Sequence, residues 1–560
     1  MQRTSSDIGP AAARFEDVPE VALLRIGELL NLKDRLRLTQ TSSRLRSRLR
    51  SIPALWTRVA LNGGMGYIST NQSGLSKLRD ITHLAASHSL DLCITASARP
   101  GDRDMVWDTV SELLDQTKTL SLSINYMGSV DGIYESMYQL ASTQFWRTMS
   151  HPAPRLSTLI LQFDDSMQNR HTELSSLLLG GAEARPVLRN LWLKSIRLPR
   201  WQQQLPVLSH LVRFNYSFHR AHNFNMDGLL FIQHAMPRLE ELGLEFRYFE
   251  VPNDQLEPRP QGALRKVVLF GQVEDEIIAV ARHFAASPSL AICCPNSYGT
   301  RKLLDLWPDE NFNVSFSCTR SLSFESASRN RRVTIFTSSQ LLRELMEIST
   351  AHIDRIVSLT VYENHWTDQL EHLPLLPNVK TLRIIAPLCA EVSVFATILD
   401  VTSMFVEYWN RSLAVSLPAV EDLHIISRRK SPKFDPCWVR NGPSHGREDC
   451  SCFNGSPVSL DVVADFTRSV LGLDNQRRLR NLRLVGFDSI VDVDPAAAIS
   501  RLEALAESIT FEQLSDTEAK LLPAVIDAGD LSSTELGRGM MNQSAFVDFH
   551  LSSPDVDQYF

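Results

Sequence analysis

The chain has 560 residues, with 57 Lys and Arg against 64 Asp and Glu for a formal net charge of −7, and it is 43% hydrophobic and 22% charged. That balance suits a globular chain able to bury a core, its mild acidity argues against dedicated nucleic-acid binding, and no run approaches the roughly 20 apolar residues of a membrane span. With sparse cysteines and no apolar leader at the start, the chain is expected in the reducing cytoplasm or nucleus, with neither nucleic acid nor membrane as a partner.

Residues 1–14 read as a disordered tail. From Phe15 to Leu61 the sequence FEDVPEVALLRIGELLNLKDRLRLTQTSSRLRSRLRSIPALWTRVAL predicts several short helices with apolar faces. Pro19 fits the first helical turn, where a missing N–H is no loss, and Leu23, Leu24, Ile26, Leu29 and Leu30 cover much of that helix. After a break at Asn31 come Leu32, Leu36 and Leu38. Thr41 or Ser42 caps a third helix carrying Leu45 and Leu49, and Trp56 closes the segment. A unit of about 45 residues buries too little surface to stand alone, so its remaining leucines are expected to dock on something else. The basic residues Lys33, Arg35, Arg37, Arg44, Arg46, Arg48, Arg50 and Arg58 read as solvated helix faces, since no aromatic residues interleave with them for base stacking.

This segment resembles the F-box. The match runs through Val18-Pro19, Leu23-Leu24, Ile26, Leu30, Leu32-Lys33-Asp34, Leu36, Leu38, Ser43-Arg44-Leu45 and Pro53-Ala54-Leu55-Trp56. Two departures stand out: the acidic residue usual two places after the proline lies one place after it, at Glu20, and Gly27 occupies a position that is usually apolar. The resemblance implies docking on the Skp-type adaptor of a cullin-based ubiquitin ligase, through Pro19, Leu23, Leu24, Ile26, Leu30, Leu32, Leu36, Leu38 and Trp56.

Residues 62–150 read as a linker with first irregular repeats, the strand candidates being SLDLCI from Ser89 and TLSLSI from Thr119. Over 151–515 one pattern recurs: apolar, two others, apolar, one other, apolar. It appears as LSTLIL from Leu156, LRNLWL from Leu188, LEELGL from Leu239, LRKVVL from Leu264, IVSLTV from Ile356, VKTLRI from Val379, VEDLHI from Val420 and LRNLRL from Leu479, with LSHLVR from Leu208 as a partial copy. Pro154, Pro186, Pro206, Pro237, Pro377 and Pro418 each stand two residues before a copy. Proline ends a helix and biases its neighbour toward extended geometry, and the last two apolar residues of each copy then face one side of a short strand. Helical stretches are expected between copies, from Asp275, Ser338, Val392 and Ser459.

The pattern resembles leucine-rich repeats of the long, irregular kind in fungal F-box proteins. It implies an α/β fold in which a small N-terminal helical F-box precedes a horseshoe solenoid; a globular α/β domain with parallel strands is the competing architecture. In a solenoid the residues between the inward positions line the face that meets a target, among them Asn190, Trp192, Glu241, Arg383, His424 and Arg483. Trp192 would be either an exposed anchor there or covered by a neighbouring loop.

The Pro-, Gly- and Ser-rich stretch 431–457 reads as an inserted surface loop. Its Gly442-Pro443-Ser444-His445-Gly446 has the letters of a serine-hydrolase elbow without the strand-to-helix context, and its Cys437, His445, Cys450 and Cys452 lack paired zinc-ligand spacing. His219 and His222 read as loop histidines, and Cys293-Cys294 as packed side chains. Residues 516–560 read as a cap and tail. No catalytic, metal or cofactor site is expected. The sequence thus predicts a non-enzymatic substrate receptor of a Skp-cullin-F-box ligase, or alternatively an interaction scaffold whose F-box has drifted.

Overall fold

The computed structural model describes residues 18–513, apart from short breaks and the longer segments 63–78, 126–142, 251–263, 337–349, 363–373, 387–416 and 428–456. The helices expected from Ser338 and Val392, the loop with Ser444, His445 and its cysteines, His219, His222 and both termini lie outside the described residues. The fold is mixed α/β, with mostly parallel strand pairing, in two compact units that divide after Glu250. This boundary falls inside the stretch expected to form one array, and the N-terminal helices share a unit with the strands up to it.

The first unit opens with α1 (Glu20–Leu29), α2 (Leu32–Thr41) and α3 (Ser43–Arg50). Pro19 is the residue just outside α1, extended at φ −54 and ψ 148, rather than inside the first turn. Ser42 is the cap of α3, its hydroxyl accepting the Leu45 N–H at 3.0 Å. A single turn, Pro53–Trp56, leads directly into the strand β1 (Arg58–Asn62), so the segment read as wholly helical ends in sheet. From there β2 (Leu90–Ser97), β3 (Thr117–Asn125), β4 (Thr158–Phe163), β5 (Asn190–Lys194), β6 (Arg213–Phe218) and β7 (Glu241–Phe246) follow, each parallel to the strand before it. Both early strand candidates are therefore rungs of the ladder.

Register explains why the sequence pattern works. Leu159, Leu191, Phe214 and Leu242 align across four strands, and so do Leu161, Leu193, Tyr216 and Leu244. All eight are buried, which is how a half-apolar strand hides one face by stacking. The first apolar residue of a copy sits in the turn before the strand, with its N–H bonded three residues back: Leu156 to Ala153, Leu211 to Leu208 and Leu239 to Met236. Leu211, not Leu208, is thus the start of its copy, and LSHLVR is three residues out of step. At the other end of β5, Ser195 takes φ 57 and turns the chain into Ile196–Arg197, which pairs with Thr172–Glu173 in a small second ladder.

In the second unit, β8 (Lys266–Gly271) and β9 (Ser289–Cys294) are parallel, then comes a meander of β10 (Phe312–Phe316), β11 (Ser321–Ser326) and β12 (Arg331–Phe336), and then β13 (Ile356–Tyr362), β14 (Thr381–Ala386), β15 (Asp422–Ser427), β16 (Leu479–Val485) and β17 (Ala506–Glu512). The meander enters in reverse: β12 pairs with β9, β11 lies between β12 and β10, and β10 pairs parallel with β13. None of these three strands carries the repeat pattern, and the sequence reading missed them. From β13 to β17 the pairing is parallel and in chain order, aligning Leu359, Leu382, Leu423, Leu482 and Ile509. The helices expected from Asp275 and Ser459 are present as Glu274–His283 and Leu460–Ser469. Gly486, at φ 78, turns the chain after β16 as Ser195 does after β5, toward Ser489–Ile490, which pairs with Pro457–Val458.

Candidate functional site

Two surfaces stand out. The first is the helical segment. Leu23, Leu45, Leu49, Ile52, Leu55 and Trp56 are buried, and the Trp56 indole donates to the Leu49 carbonyl at 3.0 Å. Arg48 ties the entry of α1 by donating to the Val18 carbonyl at 2.7 Å, Arg46 donates to the Thr39 carbonyl at 2.9 Å, and Arg35 donates to the Leu55 carbonyl. Three arginines of the basic run therefore hold backbone turns together, which adds a structural role to their solvated faces.

The residues expected to touch an adaptor divide accordingly. Leu23 and Trp56 are covered by their own chain and form the base of the segment. Pro19 is exposed, Leu24, Ile26, Leu30, Leu36 and Leu38 are half-buried, and Val21, not among the expected residues, is 73% exposed. The Leu32 side chain lies outside the described residues. Leu24, Ile26, Leu30, Leu36 and Leu38, on or next to α1 and on α2, thus keep part of their apolar surface uncovered.

Gly27 also has a packing reason. A Cβ there would overlap the end of the buried Leu55 side chain, which would have to shift to make room. Gly27→Leu is expected to destabilise the first unit by about 1–3 kcal/mol through overpacking. Thermal unfolding checks this, and an unchanged midpoint would contradict the close approach.

The second surface is the polar side of the strand ladders, where the expected target-facing residues fall three in each unit. In the first, Asn190 donates to Thr158 Oγ1 at 3.0 Å, Glu241 pairs with Arg213 at 3.2 Å, and Trp192 is half-buried between Ile160 and Asn215, which makes it less than an exposed anchor. Beside them, Ser217 donates to the buried Glu245 at 2.6 Å; Ser217 was missed because it follows the copy placed out of step, and Glu245 because it stands just past the end of its copy.

In the second unit, Thr360, Arg383, His424, Arg483 and Thr510 stand in one register row across β13 to β17. Arg383 donates to Ser358 Oγ at 2.7 Å, Asn481 donates to Asp422 Oδ1 at 2.6 Å, and the Arg483 fork grips the Glu512 carboxylate, with Nε at 3.0 Å. That fork holds Glu512 below the usual carboxylate range. Glu512 was missed because its copy, AESITF, begins on Ala506 where the other copies begin on Leu, Ile or Val.

Burial first, then the guanidiniums of Arg383 and Arg483 on either side, push His424 down to about 4, with Asp422 and Glu512 opposing more weakly. The native imidazole is therefore neutral across a range in which the unfolded one, near 6.5, takes up a proton. Stability from this group is full above about pH 6.5 and is lost as pH falls toward 4. His424→Gln is expected to flatten that decline by about 2 kcal/mol, a figure discounted for the ring's partial exposure. Urea unfolding at stepped pH measures it, and an identical slope in variant and wild type would contradict the assignment.

Among the described residues no three His, Cys, Asp or Glu side chains gather as a metal-holding group, and no helix is long and apolar enough to cross a membrane. No protein-family model matches the chain, and no curated protein matches it in sequence.

Proposed function

We propose that this chain is the substrate-recognition subunit of a Skp-cullin-F-box ubiquitin ligase, its N-terminal helices docking the Skp-type adaptor and a leucine-rich-repeat-like solenoid holding a protein target. The observation that carries this reading is the half-covered apolar set of Leu24, Ile26, Leu30, Leu36 and Leu38 on a base made by Leu23, Leu45, Leu49 and Trp56. Parallel, in-register stacking of the copies, with short second ladders after β5 and β16, supports the repeat reading. The mechanism is proximity: a bound target gains a high effective concentration near a conjugating enzyme that the chain itself lacks.

A scaffold that recruits no ligase is the other reading. Of the two departures that motivate it, Gly27 has a packing explanation in Leu55, and Glu20 lies in the first turn of α1, where a carboxylate favours the helix dipole. Co-expression with a Skp-type adaptor separates the two readings. The receptor gives a stable complex through affinity and size-exclusion steps; a chain that always elutes without adaptor is a scaffold.

A further inference from the structure

The second unit ends on a strand whose stack is unfinished. Leu359, Leu382, Leu423 and Leu482 are buried in one inward row and Val361, Ile384, Ile425 and Leu484 in the next. On β17 the first row ends at Ile509, only half-buried, and the second at Phe511, which is 49% exposed. Each earlier rung is covered by its successor, and among the described residues no strand lies beyond β17. The backbone edge is open too. The Leu479 N–H donates to the Leu505 carbonyl at 2.8 Å, and alternation from there along the parallel register directs the N–H and C=O groups of Glu507, Ile509 and Phe511 to β16 and turns those of Ser508 and Thr510 outward.

An open edge beside exposed apolar residues is a template for another strand. β17 fits itself. In an antiparallel pair with Thr510 opposite Thr510 of a second copy, the outward groups of Thr510 exchange hydrogen bonds on a two-fold axis, and opposed residues point to the same face. Ile509 then faces the second copy's Phe511, and Phe511 the second copy's Ile509. These are aromatic–β-branched pairs in the positions where opposed side chains lie closest. Ser508 faces Glu512 and Glu507 faces Gln513, so no two carboxylates stand opposite. Sliding one copy by two residues, to put Ile509 on the axis, sets Phe511 against Glu507, so the apolar match selects one register. The helix Pro495–Glu503 that leads into β17 is tied back to the preceding helix, where Arg501 donates to Asp461 Oδ1 at 2.6 Å.

We infer that β17 is a homodimer interface: two copies of the chain join their last strands antiparallel about a two-fold axis at Thr510, with Ile509 and Phe511 closing each other's apolar rows. On the polar side, the row Thr360, Arg383, His424, Arg483 and Thr510 then runs on into the same row of the second copy, and two polar faces become one. A ligand that reaches both halves binds with an avidity neither copy has alone. The interface stands on the edge strand and not on the receptor reading.

Sedimentation velocity of the full chain over a concentration series tests it. The wild type is expected to pass from monomer to dimer. Phe511→Lys, at a side chain largely open in the single copy, is expected to weaken the dimer at least tenfold with an unchanged melting temperature. Mild oxidation of cysteine variants reads the register. Thr510→Cys sets two thiols opposite each other, about 5.5 Å apart between Cα atoms and within disulfide reach, whereas Ser508→Cys leaves its two copies about 14 Å apart. A covalent dimer of Thr510→Cys, absent from wild type, from Ser508→Cys and from the double variant Thr510→Cys with Phe511→Lys, supports the interface. A wild-type chain that stays monomeric overturns it and leaves the edge to residues 514–560 of the same chain or to a strand of another protein. A dimer that Phe511→Lys does not weaken, or equal linking through positions 508 and 510, overturns it as well.

Discussion

Leu24→Asp is expected to weaken adaptor binding on the order of 100-fold or more while leaving the melting temperature of the chain within a few degrees of wild type. Leu24 is half-buried on α1, with part of its surface open, so in the free chain a carboxylate there can reach water. In a closed apolar interface the same carboxylate has no partner, and its desolvation adds to the lost side-chain packing. Leu23, one residue earlier, is expected to behave oppositely. It is buried against its own segment, so Leu23→Asp places the charge in the base of the helices and unfolds them, losing adaptor binding through loss of structure. Calorimetric titration with the adaptor, paired with thermal unfolding of each variant, distinguishes the two effects. Wild-type affinity in a folded Leu24→Asp chain would remove this face from the interface.

The second large effect is expected in the ladder of the second unit. Leu482 is fully buried and aligned between Leu423 and Ile509, so Leu482→Ala should cost about 2–5 kcal/mol, from lost transfer energy and the cavity left between neighbours that cannot collapse. Arg480, on the same strand, has an exposed side chain, and Arg480→Ala should change stability by no more than about 0.5 kcal/mol. Urea unfolding of the two variants reads the contrast. Equal costs would mean that this strand does not bury alternate residues against its partners, contrary to the register.

The ladder was legible because two local signals coincide. In LRNLRL, Leu482 and Leu484 are two apart and must share a strand face, and in PRLEELGL a proline just after the helix Met226–Ala235 marks where helix gives way to strand. Where spacing was degenerate the reading slipped. Leu205, Leu208 and Leu211 are three apart, so the copy was begun one turn early, and the aromatic pair Phe214 and Tyr216 concealed the true inward positions. The meander of β10, β11 and β12 has neither proline nor a leucine framework, and its reversed placement is set by tertiary pairing that local periodicity does not encode.

The helical segment was legible as helices but not as faces. Val21, Leu23, Leu24, Ile26, Leu29 and Leu30 cover α1 nearly all round, so spacing alone could not separate the leucine that forms the base from those left on the surface. Burial supplies that distinction: it moves Leu23 and Trp56 inward and brings Val21 outward. The same limit applied on the strand face. Arg383, His424 and Arg483 could be placed on one row from sequence, but the Glu512 carboxylate, which meets Arg483 from two residues beyond Thr510, required the last strand to be paired.

The most direct measurement of the central claim is hydrogen–deuterium exchange of the full chain with and without a Skp-type adaptor. Docking through the N-terminal helices predicts slowed exchange concentrated in α1 and α2, over residues 20–41, with the ladders of both units unchanged. Unaltered exchange in those helices at saturating adaptor, or protection confined to the strand ladders, would contradict it.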